Sequence, residues 1–92
     1  DDVELSCAGT LMMEMNHGKK AGIIDLTRGE LGTRGTAETR KVEADAAAKI
    51  IGIHVRENLG MRDGFFKNDE EHQLMVIQKI RQYQPEIVLC NA

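Results

Sequence analysis

The chain has 92 residues, enough for one small domain with a marginal core, and 41% of them are apolar, which excludes wholesale disorder. A net charge of −3 and a scarcity of aromatics (Phe65, Phe66 and Tyr83) leave neither a basic field for nucleic acid nor a platform for stacked bases. No apolar run reaches membrane-spanning length and no signal-peptide pattern is present, so no membrane partner is expected.

In chain order, Leu5, Ala8, Met12 and Met15 recur at helical spacing and predict a first helix over Leu5–Asn16, with Leu11 widening its stripe. Gly18 is the expected stop. Ala21–Leu26 is a short, mostly apolar run that suits a strand covered on both faces. The loop Thr27–Thr36 follows, carrying Gly29, Gly32 and Gly35 among charged residues. Thr36 is placed to cap a second helix, with Glu38 in its positive first turn. The alanines 44 and 46–48 give that helix high propensity and a thin profile. Val42, Ala46 and Ile50 are expected to share its inner face, and Gly52 to end it. Ile53–Asn58 reads as a strand and Leu59–Gly64 as a loop. Asn68 is the expected cap of a third helix, with Glu71 at the capping-box position. Val76, Ile77, Ile80 and Tyr83 form its stripe, Pro85 stops it, and Ile87–Cys90 reads as a last strand.

This alternation predicts an α/β fold, a Rossmann-like parallel sheet with flanking helices and right-handed crossovers, in one domain over residues 1–92. The chain opens on Asp1-Asp2-Val3-Glu4, with no methionine and no strand ahead of it. Ligands in α/β proteins sit just past the carboxyl end of a strand. The expectation is therefore an excerpt of a longer protein, lacking the first strand and a C-terminal part.

Cys7 and Cys90 make no disulfide framework and no Cys-x-x-Cys, and are expected to be reduced, largely buried thiols of a cytoplasmic protein. His17 stands at a helix end, His54 in a strand, and His72 on the expected exposed side of the third helix; none has metal-ligand spacing to another. The methionines (12, 13, 15, 61 and 75) read as core filler.

Asp1 and Asp2 admit two readings. They can charge-complement the first helix, as acidic N-termini commonly do. They can also be a metal ligand beside a general base, the pair that metal-assisted amide hydrolysis needs. Arg40 can pair at the surface with Glu43 or Glu38, Asp63 can be a turn residue before Gly64, and Glu30 a solvated loop charge. The ordered set is more specific than its parts. Asp1-Asp2-Val3-Glu4, Gly9-Thr10, Asp25-Leu26-Thr27-Arg28-Gly29-Glu30, Arg40-x-x-Glu43 with Ala46-Ala47, and Leu59-Gly60-Met61-Arg62-Asp63-Gly64 together resemble the PIG-L (LmbE-like) zinc deacetylases. Within that family the chain is most similar to the N-acetylglucosaminyl-malate deacetylases of bacillithiol biosynthesis.

The resemblance implies zinc-dependent de-N-acetylation of an N-acetylglucosamine conjugate, a small amino-sugar substrate. By the family motif Ala-His-Pro-Asp-Asp, Asp1 matches the general base and Asp2 a zinc (Zn2+) ligand, with the two histidine ligands outside this chain. Glu30, Arg40 and Asp63 match substrate-contacting positions. A homo-oligomer is expected. The competing class is a non-enzymatic phosphate- or nucleotide-binding module using the Gly29–Gly35 loop ahead of a helix, although its spacing fits neither Gly-x-Gly-x-x-Gly nor a P-loop. A receiver-type signalling domain would need a phospho-accepting Asp where Glu57-Asn58 stands.

Overall fold

The structure, a computed structural model, describes residues 2–91. Five elements follow one another: α1 (Asp2–Asn16), β1 (Gly22–Thr27), α2 (Ala37–Ile51), β2 (Val55–Met61) and α3 (Glu70–Tyr83). β1 and β2 form a two-stranded parallel sheet, so the α/β alternation predicted from periodicity is the architecture found. None of these helices is long and apolar enough to cross a membrane.

Local chemistry sets most boundaries. α1 already begins at Asp2, and Gly18 turns the chain at φ 87° behind it. Thr36 caps α2 by accepting from Thr39 N–H, and Gly52 ends it in the left-handed region. α3 is capped by Asp69, not Asn68: the Asp69 carboxylate reaches His72 N–H at 3.0 Å, while Asn68 accepts from the Gln73 amide instead. Gln84, at φ 48°, closes α3 just ahead of Pro85.

The strand register runs Gly22↔Val55 to Asp25↔Asn58 and resumes at Thr27↔Met61. One extra residue is thus taken up on β2. The expected loop at Leu59–Met61 is strand, and its irregularity is a bulge. Gly60 sits there at φ 67°. Asn58 holds it from both sides, donating to the Thr27 carbonyl at 2.6 Å and accepting from Gly60 N–H at 2.7 Å.

Packing departs from the expected stripes. The inward face of α2 carries Ala37, Arg40, Ala44, Ala47, Ala48 and Ile51, whereas the expected face is outside: Ala46 is exposed, and Val42 and Ile50 are 67% and 79% exposed. Close approach to the sheet favours the alanine face, so bulk alone picked the wrong side. On α1, Val3, Glu4, Cys7, Ala8, Leu11 and Met15 turn inward and Leu5 and Met12 do not. On α3 the covered positions are His72, Met75, Val76 and Lys79, a quarter-turn from the expected stripe, so His72 is not on the exposed side. Of the methionines, Met61 is core and Met13 is exposed. The buried apolar side chains among the described residues are Ile23, Ala48 and Met61.

Ile87–Cys90 forms no strand. A strand exists through its ladder, and no described backbone pairs with this segment; Ile87, Val88 and Leu89 lie open and Cys90 is an exposed free thiol rather than a buried one.

Three polar ties join the layers. Arg56 of β2 forks onto Asp25 of β1, with Nε to Oδ2 at 2.8 Å and Nη2 to Oδ1 at 3.1 Å. Its Nη1 reaches Glu4 of α1 at 2.5 Å and the Ala44 carbonyl of α2 at 3.4 Å. The Arg56 side chain is only 9% exposed, so one guanidinium binds four elements. At the far edge, Glu57 accepts from Tyr83 Oη (2.5 Å) and Lys79 Nζ (3.2 Å), tying α3 to β2.

Candidate functional site

The loops that leave the carboxyl ends of β1 and β2 carry two of the residues singled out from the sequence, Glu30 and Asp63, and hydrogen bonds tie these loops together; a third, Arg40, stands on α2 against the same glycine loop. Glu30 Oε2 accepts from Asp63 N–H at 2.9 Å. Asp63 Oδ2 accepts from Leu31 N–H at 3.0 Å. Each loop thus closes on the other through a carboxylate. The Asp63 N–H is the chief cause holding the Glu30 carboxyl below its ordinary range.

Arg40, in the first turns of α2, lies back across the glycine loop. Its Nη2 donates to the Arg34 carbonyl at 2.8 Å, its stem passes over Gly29 and its guanidinium lies over Gly32. The surface ion pair with Glu38 or Glu43 is absent among the described residues. Gly29 N–H is taken by Thr27 Oγ1 at 3.2 Å and Gly32 N–H by the Gly29 carbonyl at 3.0 Å. The hollow of the glycine loop is therefore filled by an arginine, and the N–H groups of Gly29 and Gly32 are spent internally. A phosphate-binding use of this loop is not favoured, because that space and those two donors are already committed.

Asp2 lies in the first turn of α1, exposed, with the Asn91 amide donating to its Oδ2 at 3.5 Å. The Gly18 turn joins the end of α1 to the segment that leads into β1. No hydrogen bond among the described residues links Asp2 to Glu30, Arg40 or Asp63. Asp1 lies outside the described residues.

The chain matches the PIG-L (GlcNAc-PI de-N-acetylase) family profile over residues 1–92, its whole length. The chain belongs to the PIG-L family. It is also similar to a solved structure, the conserved protein TT1542 from Thermus thermophilus, at 43% identity and a TM-score of 0.84 over 91% of this chain. The chain spans 38% of that protein's length.

Zinc is the metal that the PIG-L motif implies, and the residues present can be tested against it. Among the described residues no three His, Cys, Asp or Glu side chains converge as a metal site. Asp2 is one carboxylate where a zinc centre takes three or four protein ligands. The described PIG-L residues do not by themselves make a zinc site.

Sequence reasoning missed the Glu4–Arg56–Asp25 triad, the Glu57–Lys79–Tyr83 clamp and the Asp69–His72 pair (2.6 Å). Asp25 and Glu4 entered only as letters of the family motif. An Arg and an Asp in adjacent apolar strands were the available signal, since charges in a covered strand are paired. His72 also lines an apolar groove of about 360 Å³ between α3 and the strand ends, with Leu26, Met61, Phe66 and Val76.

Proposed function

We propose that this chain carries the base and the sugar-binding loops of a zinc-dependent de-N-acetylase. The substrate is an N-acetylglucosamine conjugate, cleaved to acetate and a free amine. Membership of the PIG-L family over the whole chain carries this reading. The convergence of Glu30, Asp63 and Arg40 at the strand ends supports it, because that is where α/β folds take ligands.

In this proposal Asp1 takes the proton from the water that attacks the acetyl carbonyl. Asp2 is the one zinc ligand supplied by this chain. Glu30 and Asp63 each spend one oxygen on the opposite loop, which fixes both carboxylates, and offer the second to sugar hydroxyls. Arg40 turns its remaining N–H donors to a hydroxyl or a carboxylate of the conjugate. An N-acetylglucosaminyl-malate substrate of the bacillithiol pathway is the specific version of the proposal, and the malate carboxylates would suit Arg40. Free thiols at Cys7 and Cys90 support a reducing, cytoplasmic setting. The open apolar residues of α1, α2 and 87–89 support a homo-oligomer.

The test is a pair of variants in the longest natural polypeptide that carries this chain. Asp1→Asn is expected to lower deacetylation of N-acetylglucosaminyl-malate by about 10²–10⁴ while elemental analysis finds zinc retained. Asp2→Asn is expected to lose zinc. Near-normal turnover in Asp1→Asn would falsify the assignment of the base, and no acetate release by the wild type would sink the activity itself.

A further inference from the structure

We propose that Gly32, supported by Gly29, is a positioning residue for Arg40: the glycine loop is a socket whose side-chain-free floor sets where the guanidinium stands. The role in catalysis rests on the function proposed above; the socket itself rests on geometry alone.

Gly29 and Gly32 are joined by the turn hydrogen bond from Gly32 N–H to the Gly29 carbonyl at 3.0 Å. They present bare backbone to Arg40. A Cβ on Gly29 would stand 3.1 Å from Arg40 Cδ. A Cβ on Gly32 would overlap the Arg40 guanidinium itself, meeting Nη2 first and Cζ at 2.8 Å. The two glycines therefore underlie successive parts of one side chain.

No carboxylate among the described residues holds this guanidinium. Among the described residues its one hydrogen bond is from Nη2 to the Arg34 carbonyl, and its buried Nε–H meets no acceptor there. An arginine gripped by a bidentate ion pair keeps its place through that pair. Arg40 has one carbonyl and a floor, so the shape of the floor decides its direction. This is also the reason the loop needs glycine at a position where no unusual backbone demands it. Gly29 and Gly35 have φ of 66° and 74°, which favour glycine in any case, but Gly32 does not lie in the left-handed region. A Cβ at Gly32 would have one further tight neighbour, the Gly29 carbonyl at 3.1 Å, and that contact involves no left-handed strain.

Gly32→Ala therefore tests the socket, and Arg40→Ala tells whether Gly32 acts through Arg40. In the longest natural polypeptide, kcat/KM on the N-acetylglucosamine conjugate is measured for both single variants and the double variant. Gly32→Ala is expected to lose about 10²-fold, the scale of a misplacement near 1 Å. The double variant is expected to be no worse than Arg40→Ala alone. Unchanged kinetics in Gly32→Ala, or losses that multiply in the double variant, overturn the proposal. If Gly32→Ala does not fold, recovery of folding in the double variant supports the socket and continued failure overturns it. If the wild type proves inactive on the conjugate, the Arg40 Nε–H resonance decides. A slowly exchanging signal that shifts in Gly32→Ala supports the socket, and a signal that stays in place overturns it.

Discussion

Glu4 and Asp25 close on Arg56 between four elements of the fold, with side chains that are 21%, 29% and 9% exposed. Glu30 and Asp63 close on backbone N–H groups of two surface loops, in water. Both pairs are acidic and both accept hydrogen bonds, but the surroundings give them different work. In the covered triad, loss of one partner strands charge away from solvent, so the triad is tied to the integrity of the fold. In the loops, water can replace a lost partner, so the exposed pair sets local loop geometry and leaves global stability nearly untouched. Carboxylates that can let go of the protein at small cost are the ones free to engage a substrate.

The largest expected effect breaks the covered side of this contrast. Arg56→Leu should destabilise the chain by about 3–5 kcal/mol, because Glu4 and Asp25 would lose the guanidinium that they share between the layers. Chemical denaturation measures it, and a midpoint close to wild type would show that the triad is ornamental.

The next effect is in pH. Burial alone would raise the Glu4 carboxyl, but the Arg56 hydrogen bond, helped by the backbone and the Arg56 charge, outweighs it and brings the value from 4.5 to about 2. The folded value lies below the unfolded one. The stabilisation is thus complete above pH 4.5 and is lost as the pH falls through about 2. It is on the order of 1–3 kcal/mol after solvent screening. Glu4→Gln should flatten the melting temperature against pH between 5 and 2, roughly the window of that titration. An identical slope in variant and wild type would remove Glu4 from the account of acid stability.

A smaller effect concerns the cap of α2. Thr36→Ala should cost about 1 kcal/mol, since the Thr39 N–H loses its acceptor at 3.1 Å. Helical content and the melting midpoint report it together.

The smallest global effect should come from the exposed pair. Glu30→Gln and Asp63→Asn should leave the melting midpoint nearly in place while amide exchange speeds up at Asp63 and Leu31 respectively. A cooperative loss of the whole fold in either variant would erase the distinction between the two acidic pairs.

Much of the frame was legible residue by residue. Thr36 and Gly52 bracket α2 because capping chemistry is local. Glu30, Arg40 and Asp63 were singled out through the resemblance to the family, and the folded chain sets them on and beside the two loops that follow the strands. That they hold one another's loops in place was not legible, because the two hydrogen bonds cross more than thirty residues of sequence. The cap of α3 shifted by one residue because Asn68 and Asp69 can both serve, and only the final geometry chooses the carboxylate that reaches His72.

The sequence by itself determined the order of the three helices and the two strands between them, the α/β class, the glycine loop and the family motifs. Each of these is written in the spacing of residues along the chain and needs no distant partner. Tertiary structure decided which face of α2 packs, choosing the alanines over Val42 and Ile50 because close approach to the sheet rewards thinness. It set the bulge at Gly60 and the four-way grip of Arg56, both of which depend on a neighbouring element. It left Ile87–Cys90 without a ladder despite an apolar strand-like sequence, because a strand is a property of two backbones and not of one.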